Sequence, residues 1–306
     1  MTLSYRCIHL EDGMEVPPAI FPRIPGHEAV GVLESVGENV KELKEGDTGI
    51  PIGITECQDC RDCNSKKSNK CSKFPFTISS SLPRDGTTRF TDSKGEEVYH
   101  FAFVSSFSKY TAVDIANVTK IDSSIPPNRA CPIGCGISTG VGAAWKTANV
   151  EAGERNLVSQ NSLTHQAAGT SLSMSNPIAE MTDGGADYCF DCVGSASEVH
   201  QAFASSRKGW GKTIVVGLDK PDSQLCFNSN ETLLSGKIIM GSLLGDIKPK
   251  TDIPLLIKSY LDKELPLDEF VTHEVHFEDI NKTFDLLLSG KSIRCVIWVD
   301  KQNPPL

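Results

Sequence analysis

No apolar run in the chain approaches the ~20 residues that a membrane-spanning helix requires, so the sequence offers no candidate span. The first residues, MTLSYRCIHLEDG, lack the apolar core of an export signal, and a cytoplasmic location is expected. An excess of positive charge is missing too. The formal net charge is -9 and the isoelectric point about 5.3, which is poor electrostatics for nucleic acid or an anionic membrane surface. Small molecules and proteins are the partners this charge permits. Long-period repeats and low-complexity segments are also absent, which argues against a solenoid. The eleven cysteines are odd in number and mostly well separated, a poor disulfide framework. In a reducing compartment, clustered thiols more often bind metal.

What is present suits a soluble α/β chain. Its 306 residues leave room for two domains. Residues 27–50, HEAVGVLESVGENVKELKEGDTGI, read as short strands punctuated by glycine. Residues 99–121 alternate in the same way, so the chain up to about residue 120 reads as mainly β. The pattern changes after Pro132. GISTGVGAAWKTANV reads as the start of a helix. The apolar segments 187–194, 212–219 and 237–245 follow, with helix-like SASEVHQAFASS and KTDIPLLIKSYLDKE among them. Strands alternating with helices imply βαβ units and a parallel sheet. FEDINKTFDLLLSGK carries an apolar helical stripe of Ile280, Phe284, Leu287 and Leu288, and IRCVIWV is a last strand.

Cys57, Cys60, Cys63 and Cys71 form a C-x2-C-x2-C-x7-C cluster. Zinc takes four soft ligands at tetrahedral corners, and thiolates supply them. Two-residue gaps let one turning loop present three sulfurs, and a longer return brings the fourth. Four protein ligands leave no open position, so such a site holds structure. A [4Fe–4S] cluster is the nearest rival. Its bacterial spacing closes on C-x3-C-P, whereas here the last gap is seven and Ser72 follows. Four free surface thiols are the remaining alternative.

GHE at Gly26–Glu28 lies upstream of this cluster and CGISTG at Cys135–Gly140 downstream. With PRIPGHEAVGVLESVGE, SKFPF, DIANVTKIDSSIPP, EMTDGGADYCFDCVGS, KGWGKTIVVG and SIRCV, they closely resemble the zinc-containing medium-chain alcohol dehydrogenases of the plant alcohol dehydrogenase-like kind. The resemblance covers most of residues 20–150 and 178–300. It implies an α/β fold in which a mainly-β, GroES-like catalytic domain (1–136 plus 246–306) accompanies a Rossmann-type domain (137–245). It also implies two zinc ions per chain. One would be structural at Cys57, Cys60, Cys63 and Cys71. The other would be catalytic at Cys7, His27 and Cys135, with Glu28 as a carboxylate beside it. An open Cys2His site suits a Lewis acid that polarises an alcohol. Thr139 would touch the nicotinamide of NAD, Val216 and Gly217 would line the far wall of the cofactor site, and Arg294 would meet the pyrophosphate. The family forms dimers through the last strand of the cofactor domain, here KIIMGSLLG. The implied activity is hydride transfer between an alcohol or aldehyde and NAD.

The sequence departs from the family in four places. A hydroxyl usually follows the first catalytic cysteine by two residues, and here His9 occupies that position. The glutathione-dependent members carry an arginine where Pro75 stands, so an anion-binding role is not expected. Gly53 replaces a frequent aromatic and would widen the pocket. Most consequentially, an NAD site needs G-x-G-x-x-G after the first βα strand and an acidic residue some 20 positions on. The available segment, Glu154–Pro177, has 24 residues, one glycine and no acid after Glu154. One βαβ unit takes ~30 residues, so the Rossmann-type sheet is expected to be incomplete, with LVSQ as a strand remnant. Gly134–Gly140 has the wrong spacing for a fingerprint, and Gly211-Lys212-Thr213 lacks the earlier glycine of a P-loop, where Ser206 stands. A degenerate, non-catalytic zinc-binding member of the family is therefore the alternative reading. A sheet missing two strands would also expose a new edge.

Overall fold

Glycine and proline cut the N-terminal strands short, and a parallel βα repeat follows them. The computed structural model describes residues 1–3, 21–76, 81–159, 175–220 and 222–299. In chain order its elements begin with β1 (Thr2–Leu3), β2 (Gly31–Val32), β3 (Thr48–Pro51), the single turn α1 (Arg61–Asn64), β4 (Phe90–Thr91), β5 (Glu97–Val98), β6 (Val118–Lys120), α2 (Pro127–Ala130) and α3 (Gly136–Gly142). They continue with β7 (Asn156–Ser159), α4 (Ser175–Met181), β8 (Tyr188–Asp191), α5 (Ala196–Ser205), β9 (Lys212–Val215), α6 (Ser229–Ser235) and β10 (Ile238–Gly241). The last are α7 (Pro249–Leu261), β11 (His273–His276), α8 (Ile280–Leu288) and β12 (Cys295–Trp298). The chain divides into two compact units, residues 1–138 with 247–306, and residues 139–246.

The first unit is built on small sheets. Strand β3 lies between β2 and β6, antiparallel to both. Strand β12 lies between β1, antiparallel, and β11, parallel. Phe101 and Ile297 anchor one core cluster, covered by Phe107, Val275, Phe284 and Leu287. The stripe on α8 is therefore real, except that Leu288 is exposed and belongs to the solvent face. The expected strands over 99–121 are corrected as well. Only Val118–Lys120 is a strand of any length there. Residues 101–105 form a tight turn in which the Val104 and Ser105 amides both donate to the Phe101 carbonyl, at 2.9 and 3.1 Å. Phe101, Phe103 and Val104 are buried by that turn, so their spacing imitates strand alternation without a ladder.

The second unit is a parallel sheet in the order β10-β9-β8-β7. Every residue of β8 is buried, Asp191 included, as a strand covered on both faces of a parallel sheet requires. Alternate residues serve opposite faces. Tyr188 and Phe190 pack with Ile214 against Ala143 and Ala148, on the π-helical turn that follows α3. Cys189 packs with Ala202 of α5. Residues 157–159 of the expected LVSQ remnant are in β7, which is one edge of the sheet among the described residues.

Candidate metal centres and cofactor crevice

The four lobe cysteines converge. Their sulfurs all lie within 4.8 Å of one another, and all four are free thiols. Cys57 Sγ stands 3.8 Å from Cys63 Sγ, and Cys60 Sγ 3.9 Å from Cys71 Sγ. Sulfurs at ~2.3 Å from a common zinc occupy tetrahedral corners about 3.8 Å apart, so the spacing fits that ion. The local backbone supplies donors as well as corners. Cys57 Sγ accepts the amides of Asp59 (3.4 Å) and Cys60 (3.3 Å), Cys60 Sγ that of Cys63 (3.3 Å), and Cys71 Sγ that of Phe74 (3.3 Å). The Cys60 side chain thereby caps α1, and Gln58, at φ 57°, turns the chain between the first two ligands. Burial pushes the Cys60 thiol up, but hydrogen bonds with Ser72 and Cys63 outweigh it and bring the group down to about 5. Burial, and then Cys60, push Cys63 up to about 12, and burial raises Cys71. The thiols thus compete for negative charge, a conflict that a divalent cation resolves.

A second donor set lies in the same unit. His27, Glu28 and Cys135 offer ligand atoms within 4.8 Å of one another. Gly26, at φ 89°, brings the chain in so closely that a Cβ there would meet Ser106 Oγ and Phe107 Cδ1 at 2.4 Å. The amides of Ser106 and Phe107 donate to the carbonyls of Gly26 and Pro25, at 2.9 and 3.0 Å. These contacts deliver His27, 6% exposed, to the edge of the Phe101 ring, with centroids 5.6 Å apart. His27 Nδ1 is buried with no hydrogen-bond partner among the described residues. A buried imidazole nitrogen and a nearby thiol form the soft donor pair that zinc takes.

Cys135 follows the 3-10 turn Cys131–Gly134 and immediately precedes α3. Glu28 is fully buried. Its Oε1 accepts the Gly136 amide at 2.9 Å, and its Oε2 pairs with Arg294 Nε at 3.2 Å. Arg294 Nη2 would lie 2.0 Å from a Cβ at position 136. Only glycine allows this approach. The charge of Glu28 raises the pKa of Arg294 against the opposing effect of burial, and that of Cys135 adds to the rise. A buried carboxylate is tolerable because it is so paired. Arg294, the residue the resemblance assigns to the pyrophosphate, directs its guanidinium at Glu28. Cys7 and His9 lie outside the described residues. Gly53 sits against Ala102, where an added Cβ would make ordinary contact at 3.4 Å.

In the second unit, Val216 and Gly217 follow β9 at the carboxyl end of the sheet, where open α/β folds bind ligands. Both amides donate to the Asp191 carbonyl, at 2.8 and 2.9 Å. Gly217 and Gly194 pack backbone to backbone: a Cβ on Gly217 would meet the Gly194 nitrogen at 2.1 Å. The buried Asp191 carboxylate, raised chiefly by burial, closes this loop through the Gly194 amide at 3.1 Å. Thr139 is half-buried on α3. The sequence reading passed over Glu56 and Lys248, whose partners lie about 190 positions away in the chain, a separation that leaves no local signal.

Residues 4–123 match the family model of the alcohol dehydrogenase GroES-like domain, and residues 142–260 that of the zinc-binding dehydrogenases. Alcohol dehydrogenase-like 7 of Arabidopsis thaliana is 53% identical, over 94% of this chain and 83% of that protein. The class-3 alcohol dehydrogenase of Oryza sativa subsp. japonica is 35% identical, over 93% of this chain and 84% of that one. Among solved structures, benzyl alcohol dehydrogenase from Acinetobacter calcoaceticus superposes with a TM-score of 0.80 at 25% identity, covering 98% of this chain and 90% of its own.

Proposed function

The chain belongs to the zinc-binding alcohol dehydrogenase family, and from that premise we propose that it is a zinc-dependent oxidoreductase passing a hydride between an alcohol or aldehyde and NAD. The observation that carries this reading is the meeting of His27 and Cys135 beside a buried, arginine-paired Glu28. In the proposal His27 and Cys135 hold the catalytic zinc with Cys7, and Cys57, Cys60, Cys63 and Cys71 hold the structural one. Zinc in the first site would supply Lewis-acid polarisation of the substrate oxygen. Glu28 fixes the Cys135–Gly136 backbone through the Gly136 amide, and Arg294 holds that carboxyl group turned inward. Phe101 and Gly26 set the plane and entry of the His27 ring. The second unit is assigned to the cofactor, with Thr139, Val216 and Gly217 at the nicotinamide end. Arg294 is proposed to reach pyrophosphate only by giving up part of its bond to Glu28.

A second reading, a zinc-binding member without turnover, is favoured by one feature. The stretch after β7 holds a single glycine up to Pro177 and cannot carry the phosphate-binding fingerprint. Zinc content together with alcohol-dependent formation of NADH separates the two readings. The proposal expects two zincs in the purified chain, turnover of a primary alcohol, and loss of both one zinc and the turnover in His27→Ala. Two zincs without turnover across an alcohol and aldehyde panel would contradict it.

A further inference from the structure

Helix α7 starts badly by its own sequence. Its N-cap is Lys248, which makes no side-chain cap, and Pro249 follows at the first helical position. The first amides of a helix need acceptors; those of Thr251 and Asp252 use the Lys248 carbonyl, and that of Lys250 takes an acceptor from far away in the chain. Glu56, the residue before the first lobe cysteine, is buried, and its Oε2 accepts the Lys250 amide at 2.7 Å. Its Oε1 accepts the Thr251 hydroxyl at 3.2 Å. Asp252 adds only the return half of a capping box, accepting the Lys248 amide at 2.7 Å. Contacts in the opposite direction run from α7 to the lobe. Lys248 Nζ donates to the carbonyls of Cys63 and Ser65, the end of α1. Buried Asn69 donates to the Ile247 carbonyl at 3.1 Å.

We propose that Lys248 and Glu56 are positioning residues of the cysteine lobe, which make metal loading of the lobe and formation of the first turn of α7 one cooperative event. A last-turn carbonyl and a C-cap carbonyl of α1 converge on one ammonium, which fixes the return path from Cys63 towards Cys71. A carboxylate facing a helix N-terminus stabilises that end, and it can do so only while Cys57, its chain neighbour, is held. Metal in the lobe therefore favours a capped α7, and a capped α7 slows departure of the metal. By linkage the two effects are equal in free energy.

The test uses the zinc-loaded full chain and a chromogenic chelator. Lys248→Met keeps the stem and removes the ammonium. It is expected to speed zinc release from the lobe about tenfold, while Lys66→Met, an exposed lobe lysine outside these contacts, leaves the rate unchanged. Hydrogen exchange on the wild-type chain supplies a readout that needs no variant. Stripping the zinc is expected to speed exchange of the amides of residues 250–253 at least tenfold. Wild-type release rates in Lys248→Met, exchange at residues 250–253 that ignores the metal, or a lobe that takes up no zinc would each overturn the proposal.

Discussion

At the scale of single residues, the molecule pays for its buried polar groups in two ways. Glu28 is paired with Arg294, and the cost is a glycine at 136, where a Cβ would displace the guanidinium. His100 is kept neutral. It is fully buried, its Nε2 accepts the Arg89 amide at 3.3 Å, and its ring lies 4.7 Å from that of Phe90. Burial first, and then the charge of Arg89, lower its pKa to about 4. An unfolded histidine titrates near 6.5, so between those values the unfolded chain binds the extra proton. Stability rises with pH wherever that holds. The contribution is thus full above pH 6.5 and is lost as the pH falls towards 4, up to about 3 kcal/mol. Urea unfolding of the wild type and of His100→Gln at pH 7.5 and pH 5 measures it. The gap between the two proteins is expected to shrink at pH 5, and a pH-independent gap would show that the ring is not held neutral.

At the scale of elements, some of the design was legible in sequence and some was not. Strand β8 was legible because Tyr188, Cys189 and Phe190 put apolar groups on both faces, as a central parallel strand needs. The cysteine lobe was legible because its ligands are close in sequence. Residues 101–105 misled because burial, not pleating, sets their spacing. The cap of α7 was invisible because its acceptor lies in the lobe, far away in the chain. The edge formed by α6 and β10 needed coordinates in a different way. Leu233 and Leu234 of α6 are 78% and 82% exposed, and Ile238 and Ile239 of β10 are exposed as well. Exposed apolar residues on β10, an edge strand among the described residues, and on the helix before it suit an association surface, and we propose that the homodimer implied by the resemblance forms there. Light scattering on Leu234→Lys is expected to give monomers where the wild type gives dimers. A dimer that survives the lysine would place the association elsewhere.

At the scale of the whole molecule, each of the two units matches its own family model. The first brings together two thiol-containing donor sets whose spacings suit zinc, and the match to the GroES-like domain spans residues 4–123. Among the described residues the second is a parallel sheet of β7, β8, β9 and β10, and residues 142–260 match the family model of the zinc-binding dehydrogenases. Zinc chemistry alone cannot oxidise an alcohol, because the hydride needs an acceptor. The proposed activity therefore stands or falls with the second unit. A titration of the zinc-loaded chain with NADH, followed by nicotinamide fluorescence, measures this directly. Saturable enhancement with a micromolar Kd is the expected result. A linear, unsaturated signal from a chain that carries both zincs would contradict the oxidoreductase reading and leave a zinc protein without turnover.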